Sequence, residues 1–177
     1  MPEPRSPALA PTVDWRADLT RPKHVWVYCT PETNLKDHPR PGLHLAWRKA
    51  ERGGWESLTA YPGPWENLGG REPSLRLEWL YSTSVREHLR FKSHAPQRSD
   101  DQSVPFHLWV FGAEHDQPFR RGTRPGLFLA GPKQSRSGSR VLVAYPNAWD
   151  DFGSTIPALH VEWLEPKFVD ERLIRFK

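Results

Sequence analysis

The heptapeptide RPGLHLA at residues 40–46 decides the fold of this 177-residue chain, because it returns almost unchanged as RPGLFLA at residues 124–130. The offset is 84 residues, and a longer ungapped comparison at that offset gives 23 identical residues in 50 positions. Two more segments follow the same offset: AYP at 60–62 and 144–146, and LEWL at 77–80 with VEWL at 161–164. An internal duplication explains this similarity, and a repeat of this length predicts a pair of small domains.

The repeat sets the expected domain boundaries. One unit covers residues 22–92 and the second covers residues 105–177. Between them, residues 93–104 are mostly polar without apolar periodicity, which is typical of a linker. The proline-rich residues 1–21 predict a flexible tail, although Val13 and Trp15 could anchor it to the first repeat.

Strand signals dominate each repeat. Short β-branched, aromatic or alternating segments predict four strands, at 25–28, 43–49, 55–61 and 75–79 in the first repeat. Gly53-Gly54 predicts a hairpin between the second and third strands. Residues 85–89 are too short for an ordinary helix and predict one helical or 3₁₀ turn before a last short strand. The second repeat carries the same pattern, so we expect an all-β protein made of two tandem small barrels.

The order of these elements resembles the SH3-like barrels, including the Tudor, chromo-barrel and integrase C-terminal domains. The residues that carry the resemblance are the first-strand VWV at 25–27, the AYP at 60–62 with Trp65, and LEWL at 77–80 before a turn ending in Leu89-Arg90. The resemblance implies a closed barrel in each repeat and ligand binding at a strand end and its following loop. An OB-like barrel is the alternative, disfavoured because that fold usually places a longer helix between its third and fourth strands.

Composition excludes several classes of protein. The single cysteine, Cys29, cannot form an internal disulfide or a cysteine-rich zinc site. A mean hydropathy of −0.72 without a long apolar run excludes a membrane span, and the N-terminus lacks signal-peptide character, so we expect a cytoplasmic protein. No phosphate loop or metal-ligand spacing is present, so we expect no metal, no cofactor and no catalytic residue. An enzyme is the third-ranked hypothesis.

The tryptophans divide into two groups when the repeats are compared. Trp26/Trp109, Trp65/Trp149 and Trp79/Trp163 occur in both copies, as a shared core requires. Trp47, Trp55 and Tyr81 are replaced by Gly131, Ser139 and Glu165, and a core seldom tolerates the loss of an indole. These three aromatics are therefore predicted to lie at the surface of the first repeat as ligand-binding residues. A second candidate set, at the strand end and loop, consists of Tyr61, Trp65, Tyr145 and Trp149.

Basic residues accompany these aromatics. The chain has a net charge of +4, and arginine offers planar contacts to phosphate and to bases. The candidate nucleic-acid contacts are Arg48, Lys49, Arg52, Arg71, Arg120, Arg121, Arg124, Lys133, Arg136 and Arg140. The first expectation is thus a non-enzymatic adaptor whose tandem barrels contact nucleic acid. The alternative is a protein-interaction module that holds a peptide or partner protein in an aromatic groove.

Overall fold

A computed structural model describes residues 22–35, 38–64, 73–87, 105–111, 124–136, 138–146 and 158–170. Within these ranges the secondary structure is β-strand with two short 3₁₀ turns. No helix in this part of the chain is long and apolar enough to cross a membrane. The all-β prediction is confirmed.

The first repeat forms one antiparallel sheet. Its strands are β1 (Lys23–Val27), β2 (Arg40–Lys49), β3 (Trp55–Pro62), β4 (Leu75–Tyr81) and β5 (Val85–Glu87), in the order β4-β3-β2-β1-β5. Gly53 and Gly54 both have φ near 85°, in the left-handed region that glycine favours, and they form the predicted hairpin turn. The 3₁₀ turn lies at Ser82–Ser84, just before the predicted segment, because Val85 is buried and already belongs to β5.

The second sheet has the same strand order. Its strands are β6 (Phe106–Val110), β7 (Arg124–Ser135), β8 (Gly138–Pro146), β9 (Leu159–Leu164) and β10 (Val169–Asp170), in the order β9-β8-β7-β6-β10. Its 3₁₀ turn, Pro166–Phe168, again precedes the last strand. Equivalent pairings share one register, since Val25 faces Gly42 and Leu108 faces Gly126.

Each sheet is strongly curled but open. The four residue steps from Tyr81 to Val85 span at most about 14 Å, whereas the outer strands of a flat five-stranded sheet lie about 19 Å apart. The chain therefore crosses from one edge to the other only because the sheet bends. In the described residues, however, β5 pairs with β1 and no ladder joins it to β4. The prediction of a closed barrel was therefore wrong, and the sheet is curled but open. The short β5 follows the direction of β1, with which it pairs, and so does not join β4.

The two sheets pack on each other through one shared core. The β2–β3 hairpin of the first sheet and the β7–β8 hairpin of the second meet there through their outer faces. The buried residues are Leu43, Leu45, Ala46, Leu58 and Ala60 from the first sheet and Leu127, Leu129, Leu142 and Ala144 from the second. Trp79 and Trp163 are partly buried against this core. The concave face of each sheet encloses a further small core of its own. Both faces of β2, β3, β7 and β8 therefore contribute to packing.

Two histidines cross the interface between the sheets in a reciprocal arrangement. The Nε2 of His24 lies 2.8 Å from the carbonyl oxygen of Leu108, and the Nε2 of His107 lies 2.9 Å from that of Val25. The two imidazole rings are 4.8 Å apart, and each has its edge near a tryptophan of the other sheet. This pseudo-symmetric contact fixes the relative position of the two sheets.

Candidate functional site

The three aromatics predicted at the surface occupy different environments. Tyr81 is 51% exposed, as predicted. Trp55 is half-buried at the start of β3. Trp47 is also half-buried, because its indole packs against the concave core of the first sheet and stacks on His44, with ring centroids 4.6 Å apart. Trp47 lines a cavity that Trp55 and Tyr81 do not line.

The second aromatic set does not form a binding surface in the described residues. Tyr61 and Tyr145 are fully buried, and their hydroxyl groups donate hydrogen bonds to Glu78 and Glu162. These tyrosines serve the two concave cores, and neither offers a ring face to a ligand. Trp65 and Trp149 lie outside the described residues.

The predicted basic contacts that the structure describes do not converge on Trp47. Arg48 forms an ion pair with Glu56 at 2.6 Å and lies over the Trp79 ring at 4.3 Å. Arg124 is buried in the second concave core, with its guanidinium over the Tyr145 ring. In that environment it cannot reach a phosphate. Lys49 and Arg52 are exposed near the β2–β3 turn, and Lys133, Arg136 and the half-buried Arg140 lie on the β7–β8 hairpin. Arg71, Arg120 and Arg121 lie outside the described residues.

A cavity of about 250 Å³ opens beside Trp47, between β1, β2 and β5. Its lining consists of Lys23, Val25, His44, Trp47, Val85, Arg86 and Glu87. The ammonium group of Lys23 and a carboxylate oxygen of Glu87 are 3.1 Å apart, and both side chains are partly exposed. We call this space the Trp47 cavity. It combines an apolar wall, an indole and a charged rim.

A buried polar network lies behind the cavity. The Nδ1 of His44 is 2.7 Å from the hydroxyl of Ser57, which is 2.8 Å from the hydroxyl of Thr59. All three residues are almost fully inaccessible, with His44 only 2% exposed. The β-strand alternation explains the cluster, since Thr59 pairs with His44 and Ser57 pairs with Trp47 across β2 and β3. The network fixes the orientation of the imidazole at the cavity wall.

At the equivalent positions the described part of the second sheet carries apolar groups. In register with Lys23 and His44 stand Phe106 and Phe128, whose rings stack with centroids 4.4 Å apart. In place of Ser57 and Thr59 stand Val141 and Val143, which belong to the second concave core. The sequence analysis did not predict His44, Ser57 and Thr59 as site residues. Comparing the two repeats would have indicated them, because these polar residues align with Phe128, Val141 and Val143.

The tryptophan also has no counterpart in the second sheet. The corresponding part of β7 is a bulge around Gly131, which has φ of 130°. A Cβ at Gly131 would lie 3.1 Å from the carbonyl oxygen of Arg140, so a side chain there is disfavoured both by the backbone and by space. Within the described residues, the indole that lines the cavity is therefore specific to the first sheet.

The buried His44–Ser57 pair is closed to a substrate. The His44–Ser57 separation of 2.7 Å resembles that of a base and a nucleophile, but Ser57 is completely buried and its hydroxyl contacts Thr59. A substrate carbonyl could not reach it. Cys29 is half-buried and its thiol lies 3.5 Å from the Thr30 carbonyl oxygen. Among the described residues no three histidine, cysteine or acidic side chains are placed to hold a metal ion.

Comparisons with known proteins give no relative: no family model, no curated protein and no solved structure matches this chain.

Proposed function

We propose that this protein is a non-enzymatic binding module whose first sheet holds a peptide segment of a partner protein at the Trp47 cavity. The observation that carries the proposal is the contrast between the sheets. One concave face has an open cavity with an indole and charged groups, while the other carries a stacked pair of phenylalanines at the positions of Lys23 and His44. The matching strand order and the 3₁₀ turn before each last strand support an internal duplication and an SH3-like relationship.

The position of the cavity favours a peptide. In the described sheet, β5 is the edge strand, and Val85, Arg86 and Glu87 of β5 all line the cavity. An extended peptide can add to a sheet edge and place one side chain in an adjacent pocket. Trp47 supplies the large and rigid contact surface that often dominates the energy of such interfaces.

A selection from phage-displayed random peptides tests this proposal. We expect the wild-type protein to enrich peptides with a common apolar or aromatic anchor, and Trp47→Ala to abolish their binding. Trp55→Ala is the matched control, because Trp55 is also half-buried in the first sheet but does not line the cavity. Trp47→Phe keeps an aromatic ring in place and should retain partial binding. Enriched peptides that bind Trp47→Ala as well as wild type would refute the proposal.

Nucleic acid is the second candidate partner, and the exposed basic residues of the two hairpins favour it. These are Lys49, Arg52, Lys133 and Arg136. Each phosphate contact contributes about 0.9 to the slope of log affinity against log salt concentration. Arg52→Ala combined with Arg136→Ala should therefore lower that slope by about 2 in fluorescence anisotropy with labelled single- and double-stranded DNA and RNA. An unchanged slope, or no binding at low salt, would eliminate this candidate.

A further inference from the structure

The outer edge of β4 combines an unpaired backbone with exposed apolar side chains. Among the described residues, β4 ends the first sheet and pairs only with β3. Its alternate residues Leu75, Leu77, Trp79 and Tyr81 share one face, where Leu75 and Trp79 pack at the rim of the shared core. Leu77 and Tyr81 are each 51% exposed. Soluble proteins usually protect an edge strand with lysine, proline or a bulge, so this apolar edge indicates a surface that another strand covers.

The backbone of β4 directs hydrogen-bonding groups outward along the same row. The amide of Gly63 donates to the carbonyl oxygen of Ser74 at 2.6 Å, and these two residues continue the β3–β4 register by one step. Hydrogen-bonded and non-hydrogen-bonded positions alternate along an antiparallel pair. Pro62, which has no amide hydrogen, therefore faces Leu75 at a non-hydrogen-bonded position. Leu77 occupies the next such position, so its N–H and C=O groups point away from β3.

The opposite face of β4 carries two charges that suit a two-fold axis. Arg76 and Glu78 flank Leu77 in the strand, and both are partly exposed. If two β4 strands pair antiparallel about Leu77, Arg76 of each copy lies opposite Glu78 of the other. Arg76 already holds Glu32 at 2.8 Å, and its five N–H donors allow it to bind a second carboxylate. The strand is thus complementary to itself in charge and in hydrogen bonding.

We propose that the β4 edge binds a second copy of this chain, with the two β4 strands antiparallel about Leu77. The two first sheets then form one continuous sheet, and the two Leu77 residues exchange N–H···O=C bonds. The apolar row extends the rim of the shared core, so pairing would cover it along with the backbone. The inference does not depend on the Trp47 cavity, which lies between β1, β2 and β5.

The equivalent edge of the second sheet is less suited to this pairing. Val161 stands at the register position of Leu77 and is 49% exposed. It is flanked by His160 and Glu162, and histidine lacks the permanent charge and the fork of donors of arginine. The two edges therefore differ mainly in charge complementarity, which makes β9 a natural control for β4.

Sedimentation velocity at increasing protein concentration tests the interface. One strand pair with its flanking side chains is a small interface, so we expect a reversible dimer with a dissociation constant of about 10–100 µM. Leu77→Lys should remain monomeric, because it places two ammonium groups opposite each other at the axis. Val161→Lys is the matched control, since Val161 has the equivalent position and a similar exposure, and it should dimerise like the wild type.

A disulfide tests the register of the two strands. At a hydrogen-bonded antiparallel position the two Cα atoms lie about 5.5 Å apart, within the range that a disulfide spans. Cys29 is the free thiol of the described chain, so both variants carry Cys29→Ser. Under mild oxidation, Leu77→Cys should form a disulfide dimer about tenfold faster than Val161→Cys, because pairing holds its two thiols together.

Several results would overturn the proposal. Wild-type protein that is folded by circular dichroism and monomeric at every concentration would do so. Dimers that Val161→Lys dissociates and Leu77→Lys does not would place the interface on β9. Growth beyond the dimer would contradict a two-fold interface, which closes at two copies. Equal cross-linking rates would contradict the register at Leu77, and if Leu77→Lys does not fold, the wild type and the cysteine variants still decide.

Discussion

His24→Ala tests whether the two sheets form one cooperative unit. His24 is buried at the interface, with its Nε2 2.8 Å from the Leu108 carbonyl oxygen and its ring 4.7 Å from that of Trp109. Removing the imidazole takes a hydrogen-bond partner from a buried carbonyl, which costs about 1–3 kcal/mol. The lost ring contacts with Trp109 and His107 add about 0.5–1.5 kcal/mol. We therefore expect the free energy of unfolding to fall by about 3 kcal/mol.

The assay is guanidinium-induced unfolding followed by tryptophan fluorescence and, independently, by circular dichroism. For a chain of this length, a loss of about 3 kcal/mol corresponds to a decrease in Tm of roughly 6–12 °C. His107→Ala should cost a similar amount, because its Nε2 lies 2.9 Å from the Val25 carbonyl oxygen. His38→Ala is the control, since His38 is exposed.

The double variant provides the stricter test. The His24 and His107 rings are 4.8 Å apart, so each single substitution already removes part of the contacts of the other residue. The combined cost should therefore be smaller than the sum of the two by at least about 0.5 kcal/mol. Single-variant losses below about 1 kcal/mol, or strict additivity, would refute the two histidines as a coupled, stabilising part of the interface.

Two further predictions concern the concave cores and the glycines under the interface. Burial, followed by the hydrogen bond to Glu78, raises the pKa of Tyr61 to about 12. The unfolded side chain titrates near pH 10, so this contribution to stability is complete below about pH 10 and is lost as the pH rises toward 12. Between about pH 8 and pH 11, the free energy of unfolding in urea should fall less in Tyr61→Phe than in wild type. Equal decreases in the two proteins would contradict this prediction. Gly126→Ala should destabilise by about 1–3 kcal/mol, because the new Cβ would meet methyl carbons of Leu108 and Val110. At Gly42 the nearest atoms are 3.1 Å away, so Gly42→Ala should cost less in thermal unfolding, and the reverse order would contradict this packing.

The sequence predicted most strands because their signals are local. The Pro-Gly start of β2, the glycine turn after it and the alternating leucines of β4 specify strand positions without knowledge of the partner sheet. The shared core is not predictable in this way. Leu43 and Leu45 face the second sheet, while Val27 and Tyr61 face the concave core, so both faces of this sheet are apolar. The alternation of residues along a strand shows which side chains share a face, but it does not show whether the second sheet or the concave core covers that face.

The residues of the candidate site differed in how far the sequence could predict them. Trp47 could be predicted as a candidate because the second repeat lacks an indole at that position, a difference visible in the aligned sequences. Tyr61 was assigned to a ligand because its place at a strand end fits both a core and a binding residue, and only its burial distinguishes them. Lys23 and Glu87 lie 64 residues apart and come together only because β1 pairs with β5.

The two sheets differ in what their concave faces carry, and the shared core couples them. A buried polar cluster next to an open cavity costs stability compared with a filled apolar interior. The second sheet has the filled version, with Phe106 stacked on Phe128 and Val143 fully buried. Because the shared core and the two histidines couple the sheets, the well-packed second sheet stabilises the chain as a whole and offsets the cost of the Trp47 cavity. A single sheet with the first repeat's sequence would lack that support, so we expect it to be less stable alone than in the whole chain.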